Sequence, residues 1–205
     1  MKTSIFRRSL SVVAAVCVLA TASVVGSVSA AESDNTNYAF NPGFEEWNGN
    51  EAARWGMYPT WIADNKSTDA HGGSSAVKVA LSETQNYALF EGGITPPAMD
   101  TKAAATLTMW VKYTDITGEG FMIGAERKGA NDTNANVFSQ RYTGSSDGWQ
   151  KLTVELPATE LAITEIVLKC EIATGTGTLL IDDVELNGSP VAVDPDQNYA
   201  FNADF

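Results

Sequence analysis

Leu107, Met109 and Val111 alternate with Thr108, Trp110 and Lys112, the two-residue period of an extended strand with one buried face. Similar runs recur along the chain, and no stretch carries its apolar residues at helical spacing, which argues against helical and α/β architectures. The runs predict strands at 38–40, 55–62, 76–81, 87–90, 105–113, 121–126, 136–142, 149–156, 165–172 and 178–186. Turn formers separate them: His71-Gly-Gly-Ser74, Thr95-Pro-Pro97, Thr117-Gly-Glu-Gly120, Gly129-Ala-Asn-Asp132, Gly144-Ser-Ser-Asp-Gly148 and Thr174-Gly-Thr-Gly177. Ten short strands punctuated in this way predict an all-β fold, an antiparallel two-sheet sandwich of jelly-roll type.

Residues 1–30 stand apart from this pattern. Lys2, Arg7 and Arg8 precede an apolar run over 10–25, and Val28-Ser29-Ala30 supplies the small residues a signal peptidase needs. The run is too short for a stop-transfer helix, and Cys17 follows Val16 rather than the small residue of a lipoprotein signal. The expectation is export from a bacterium, with no membrane association after cleavage and with cell-surface attachment left open through parts further along the protein. Loss of this leader takes the formal charge from −12 to −15. Such an acidic surface disfavours nucleic acid and anionic membranes but carries nothing that repels a neutral glycan. Cys170 is then the one cysteine left, so no internal disulfide forms, and its apolar neighbours mark it as a small core residue.

The segment Asn198-Tyr-Ala-Phe-Asn-Ala-Asp-Phe205 matches Asn37-Tyr-Ala-Phe-Asn-Pro-Gly-Phe44 at six of eight positions. A period of about 160 residues is that of a domain. The organisation expected is a flexible leader at 31–36, one module at 37–188, a Pro- and Asp-bearing linker at 189–197 and the start of a second repeat at 198–205.

Five segments in order, Asn41-Pro-Gly-Phe-Glu45, Ala70-His-Gly-Gly-Ser-Ser-Ala-Val-Lys-Val79, Leu107-Thr-Met-Trp-Val-Lys112, Gly148-Trp-Gln-Lys-Leu152 and Leu180-Ile-Asp-Asp-Val-Glu-Leu186, resemble the carbohydrate-binding modules of families 4, 9 and 22. The resemblance spans 37–186 and implies a galactose-binding-like jelly roll. Modules of this kind are usually joined to secreted glycoside hydrolases, often in tandem, so a covalently linked catalytic domain and a second binding module are the partners it implies. It also implies a structural Ca²⁺ held by hard oxygens, with Glu45 and Asp182 (or Asp183 in its place) as side-chain ligands and carbonyls of 73–75, including Ser75.

Sugars present apolar C–H faces rimmed by hydroxyls, so a site needs aromatic platforms flanked by hydrogen-bonding groups. Trp47, Trp55, Tyr58 and Trp61 crowd one segment with Arg54 between them, and Trp55, Tyr58, Trp61 and Arg54 are candidate contacts. Tyr87 is a further candidate, and Phe138, Gln140 and Tyr142 share one face of a regular strand, with Arg141 on the other. Trp149 is expected in the core, and Trp110 fits either role. His71, the single histidine, reads as a turn residue, and no zinc site or histidine-based triad has support. Glu126 is the best lone acid without an evident partner. The functional expectation is a non-catalytic module that binds a polysaccharide or oligosaccharide. The alternatives are a small jelly-roll glycanase, or an adhesion or spacer module with no glycan ligand.

Overall fold

The computed structural model describes residues 36–91 and 99–192. In chain order the strands are β1 (Trp47–Asn48), β2 (Glu51–Ala52), β3 (Trp55–Tyr58), β4 (Lys66–Ser67), β5 (Ala76–Ala80), β6 (Tyr87–Glu91) and β7 (Ala105–Thr114). They continue as β8 (Ile116–Gly129), β9 (Val137–Phe138), β10 (Tyr142–Gly144), β11 (Gln150–Leu156), β12 (Ile163–Ile172) and β13 (Thr178–Gly188). A six-stranded sheet runs β10-β8-β12-β6-β3 with β9 also paired to β8, and a five-stranded sheet runs β11-β7-β13-β5-β4. All the pairings are antiparallel. The chain is the all-β sandwich that its alternation predicts, with jelly-roll architecture.

The core lies between the sheets. Leu107, Met109 and Val111 on β7 and Leu179 and Ile181 on β13 face Phe121, Ile123 and Ala125 on β8 and Ile166, Leu168, Cys170 and Ile172 on β12, all buried in one cluster. Each large side chain buried in this way contributes about 1.5–3 kcal/mol. Cys170 is among them, and burial pushes its thiol pKa up, so it is a small apolar filler rather than a nucleophile.

Residues 38–40 are not a strand. Asn37 forms an isolated bridge with Asn187, and its side-chain amide donates to the Val184 carbonyl while its oxygen accepts the Leu186 N–H, both at 2.9 Å. The Tyr38 N–H adds a bond to the Leu186 carbonyl at 2.9 Å. A side chain thus replaces a ladder, because the backbone turns away at once through Asn41 and Phe44, both at positive φ. Residues 117–120 were expected as a turn but form the irregular first part of β8, where Gly118 and Gly120 take φ of +73° and +75°. The strand expected at 136–142 is broken into β9 and β10. Residues 1–30 and the repeated octapeptide 198–205 lie outside the described residues.

Candidate functional site

The outward face of the six-stranded sheet gathers groups suited to a ligand. On β12, Cys170 and Ile172 are buried and point inward, which leaves Lys169 and Glu171 outward between them. Register places Lys169 opposite Phe90 on one side and Gly124 on the other. Phe90 in turn faces Gly56, and Gly124 faces Phe138. One row across five strands therefore reads Gly56, Phe90, Lys169, Gly124, Phe138. A Cβ built on Gly56 would lie 2.4 Å from Cε2 and Cζ of Phe90, and one on Gly124 would lie 2.4 Å from Cδ1 of Phe138. Each ring thus lies across a neighbouring strand at a place where only glycine leaves room.

Charges fill the space between and beside the rings. Lys169 Nζ is 2.5 Å from Glu126 Oε1 and 3.8 Å from Glu171 Oε1. Lys128 pairs with Glu165 at 2.9 Å, and Arg141 lies 4.0 Å from Glu119. A hollow of about 350 Å³ is bordered by Phe90, Glu126, Lys169 and Val167, and one of about 380 Å³ by Lys128, Glu165, Asn134 and Asn136. A third, about 350 Å³, lies toward the other end of the face among Tyr58, Asn86, Tyr87, Glu119, Arg141 and Glu171. Rings with adjacent donors and acceptors are the composition a saccharide requires.

The structure brings some of the expected contacts to this face and removes others. Tyr58 is 57% exposed and borders the hollow at that end. Tyr87 is a correction: it stands opposite the buried Ile172 in the inward register of β6 and packs against the core, although it also borders that hollow. Phe138 is on the face, while Gln140 is exposed in the break between β9 and β10. Tyr142 is a correction: it pairs with Phe121 and packs on that core ring at 5.5 Å. The break after Phe138 changes the parity, so Phe138 and Tyr142 point to opposite sides, and Arg141, expected opposite them, borders the outer hollow. Trp55 is also corrected. It is 5% exposed, its indole N–H donates to the Phe40 carbonyl at 2.9 Å and its ring packs on Phe44 at 5.0 Å, so it offers no platform. Trp61 meets Trp47 edge to face at 5.8 Å, away from the ringed row. Arg54 lies 4.1 Å over the Phe40 ring and borders none of the three hollows. Phe90 was not anticipated.

Two polar groups sit in unusual surroundings. Glu91 is 1% exposed; its Oε1 accepts the Phe40 N–H at 2.6 Å, and its Oε2 has no partner among the described residues. Burial lifts its pKa to about 7. His71 is more than a turn residue: it stacks on Trp110 at 3.7 Å, and its Nδ1 is 2.6 Å from Asp183 Oδ2. Trp149, expected in the core, is half-buried and meets His71 at 5.8 Å.

The residues expected around calcium converge on the loop 71–75. Glu45 accepts the N–H groups of Ser74 and Ser75 at 2.8 and 3.0 Å and the Ser74 hydroxyl at 2.5 Å, contacts that hold its carboxyl below the usual range. Asp182, fully buried, accepts the N–H groups of His71 and Gly72 at 2.8 and 3.1 Å, and burial raises its pKa to about 6. The Ser75 hydroxyl donates to the Phe44 carbonyl at 2.7 Å. Neither carboxylate has an ion-pair partner among the described residues, so negative charge is concentrated here without a contacting cation. No three Asp, Glu, His or Cys side chains form a cage among the described residues, so oxygens of the loop would have to complete a shell. The donors are all hard oxygens and fit Ca²⁺ in kind.

No family model matches the chain, and no curated protein does. Solved structures do. The carbohydrate-binding module TmCBM61, solved with β-1,4-galactotriose, is similar at TM-score 0.50 and 20% identity over 75% of this chain and 99% of that one. The C-terminal family 22 carbohydrate-binding module of Clostridium thermocellum Xyn10B is similar at TM-score 0.51 and 14% identity over 78% and 98%. The Stig cyclase Fisc of Fischerella sp. TAU is similar at TM-score 0.55 and 14% identity over 76% and 98%. The likeness is one of fold. It spans binding modules and an enzyme, so what the chain does has to be argued from its own side chains.

Proposed function

We propose that the chain is a secreted, non-catalytic carbohydrate-binding module that holds a polysaccharide on the outer face of its six-stranded sheet. The observation that carries this reading is the row Phe90–Lys169–Gly124–Phe138, in which glycine lets two rings lie along the sheet on either side of a charged hydrogen-bonding group. Phe90 and Phe138 are three strand steps apart, about 14 Å at the usual spacing. A pyranose is about as wide as one step, so a ligand that touches both rings is a chain of sugars. Its C–H faces stack on the rings, and its hydroxyls donate to Glu126 and Glu171 and accept from Lys169. Glu126 serves here as an ion-paired acceptor.

The same reading takes residues 1–30 as an export signal and 198–205 as the opening of a second module, with a linked hydrolase held near its substrate and tandem copies raising avidity. Glu45, Asp182 and oxygens around Ser75 would hold a Ca²⁺ whose part is structural: it neutralises the carboxylates and ties the first and last segments to one loop. Affinity electrophoresis of the purified protein in gels of β-1,4-galactan, xylan, β-glucan and mannan tests the proposal. Retardation by at least one polymer, reduced in Phe90→Ala, is expected; free migration in all of them would refute it.

A further inference from the structure

We infer that the ion pairs on the outer face of the six-stranded sheet act as a filter against anionic glycans, with Glu126 as the specificity-determining residue. The inference rests on the carbohydrate-binding reading and names which glycans that face accepts.

Each cation on the face already has a carboxylate: Lys169 has Glu126 and Glu171, Lys128 has Glu165, and Arg141 has Glu119. The pairs differ in shelter. The side chains of Lys169 and Glu126 are 19% and 25% exposed, whereas those of Arg141 and Glu119 are 37% and 78% exposed. The most sheltered and shortest pair is thus the one in the row between Phe90 and Phe138, where a stacked sugar would rest. A uronate or sulfate arriving there finds no free ammonium. It must displace Glu126 from Lys169 or lie beside a carboxylate already at contact, and a sheltered like charge is costly. A neutral sugar meets no such conflict. Adjacent hydroxyls both donate and accept, and the pair offers an acceptor and a donor side by side.

The chain's overall acidity, −12 before any processing, also opposes polyanions, but by another route. That repulsion acts through water and is screened beyond about 8 Å at physiological salt, whereas the Glu126–Lys169 contact is not. Neutralising a carboxylate on the opposite sheet changes the overall charge equally and leaves the pair intact; Glu155, exposed on β11, serves for this.

The test compares the full chain as wild type, Glu126→Gln, Glu126→Gln/Glu171→Gln and Glu155→Gln at physiological salt. Binding is measured to β-1,4-galactan, xylan, β-glucan and mannan and to the carboxymethylated derivative of each polymer, with thermal unfolding as a check on folding. The readout is the ratio of affinities for the neutral and carboxymethylated forms of one polymer. The wild type should favour the neutral form by about tenfold or more, the scale of one charge-assisted hydrogen bond. Glu126→Gln should shrink that ratio and the double variant should erase it, while Glu155→Gln keeps it. Equal wild-type binding of both forms, a ratio that Glu126→Gln and the double variant leave unchanged, or a shift of the same size in Glu155→Gln would each overturn the filter while leaving the carbohydrate reading standing. A wild type that binds none of the neutral polymers would overturn that reading, and the filter with it.

Discussion

The ring of Phe138 lies across Gly124, where a Cβ would come within 2.4 Å of Cδ1. Gly56 and Phe90 repeat the arrangement three strands away, and the two differ in what else a methyl group would meet. At Gly124 the Val137 carbonyl is also 2.4 Å away, whereas at Gly56 the three nearest atoms all belong to the Phe90 ring. Gly56→Ala is therefore the cleaner probe, since it tilts a platform without disturbing a neighbouring backbone.

Phe90→Ala and Phe138→Ala should each weaken glycan binding by about 1–2 kcal/mol, roughly five- to thirtyfold. Gly56→Ala should fall between wild type and Phe90→Ala. Titration calorimetry of the four proteins checks the order, and equal affinities would remove the rings from the site.

Trp55 should behave in the opposite way. As a core indole bonded to the Phe40 carbonyl, its replacement by alanine should cost about 3–5 kcal/mol of stability, read from urea unfolding. Trp55→Phe keeps most of the packing and loses the N–H bond, at about 1 kcal/mol. Any Trp55→Phe protein that folds should bind glycan like the wild type; a selective loss of binding would restore Trp55 to the site.

Glu91 makes stability depend on pH. Its carboxyl is lifted from the ordinary 4.5 to about 7 by burial, so between these values the folded state holds a proton that the unfolded state has released. Stability from this group is complete below about pH 4.5 and is lost as pH rises toward 7, by about 3 kcal/mol at most. Glu91→Gln keeps an oxygen for the Phe40 N–H and cannot ionise, so its unfolding midpoint should be flatter over this window. Parallel slopes for the two proteins would rule the effect out.

Calcium should raise the unfolding temperature and a chelator should reverse it. The gain is about 2.7 kcal/mol at a free concentration one hundred times Kd. Asp182→Asn and Glu45→Gln should lose the response. Identical melting curves with calcium and with chelator in the wild type would exclude a structural ion.

Much of the fold was legible in the sequence because one-face burial writes itself as alternation. The strand predicted at 76–81 is β5 with one residue fewer, and that at 178–186 is β13 with two residues more. The site was less legible, for two reasons. Parity holds only while a strand is unbroken, and the gap between β9 and β10 sends Tyr142 inward although it stands an even number of residues from Phe138. Phe90 was hidden by Glu91. On β6 the inward positions are Tyr87, Leu89 and Glu91, and a charged residue in the buried register disguised which side of the strand was the outside. Aromatic density misled at Trp55, which packs on Phe44 in the core, while Trp47 and Trp61 meet edge to face and stay half-buried.

The clasp of Asn37 on Val184 and Leu186 means that the polypeptide enters and leaves this module at a single corner. A tether drawn tight from both sides would strain that corner first and peel the clasp apart bond by bond. The six-stranded sheet that carries the rings would stay out of the line of force until it gave way.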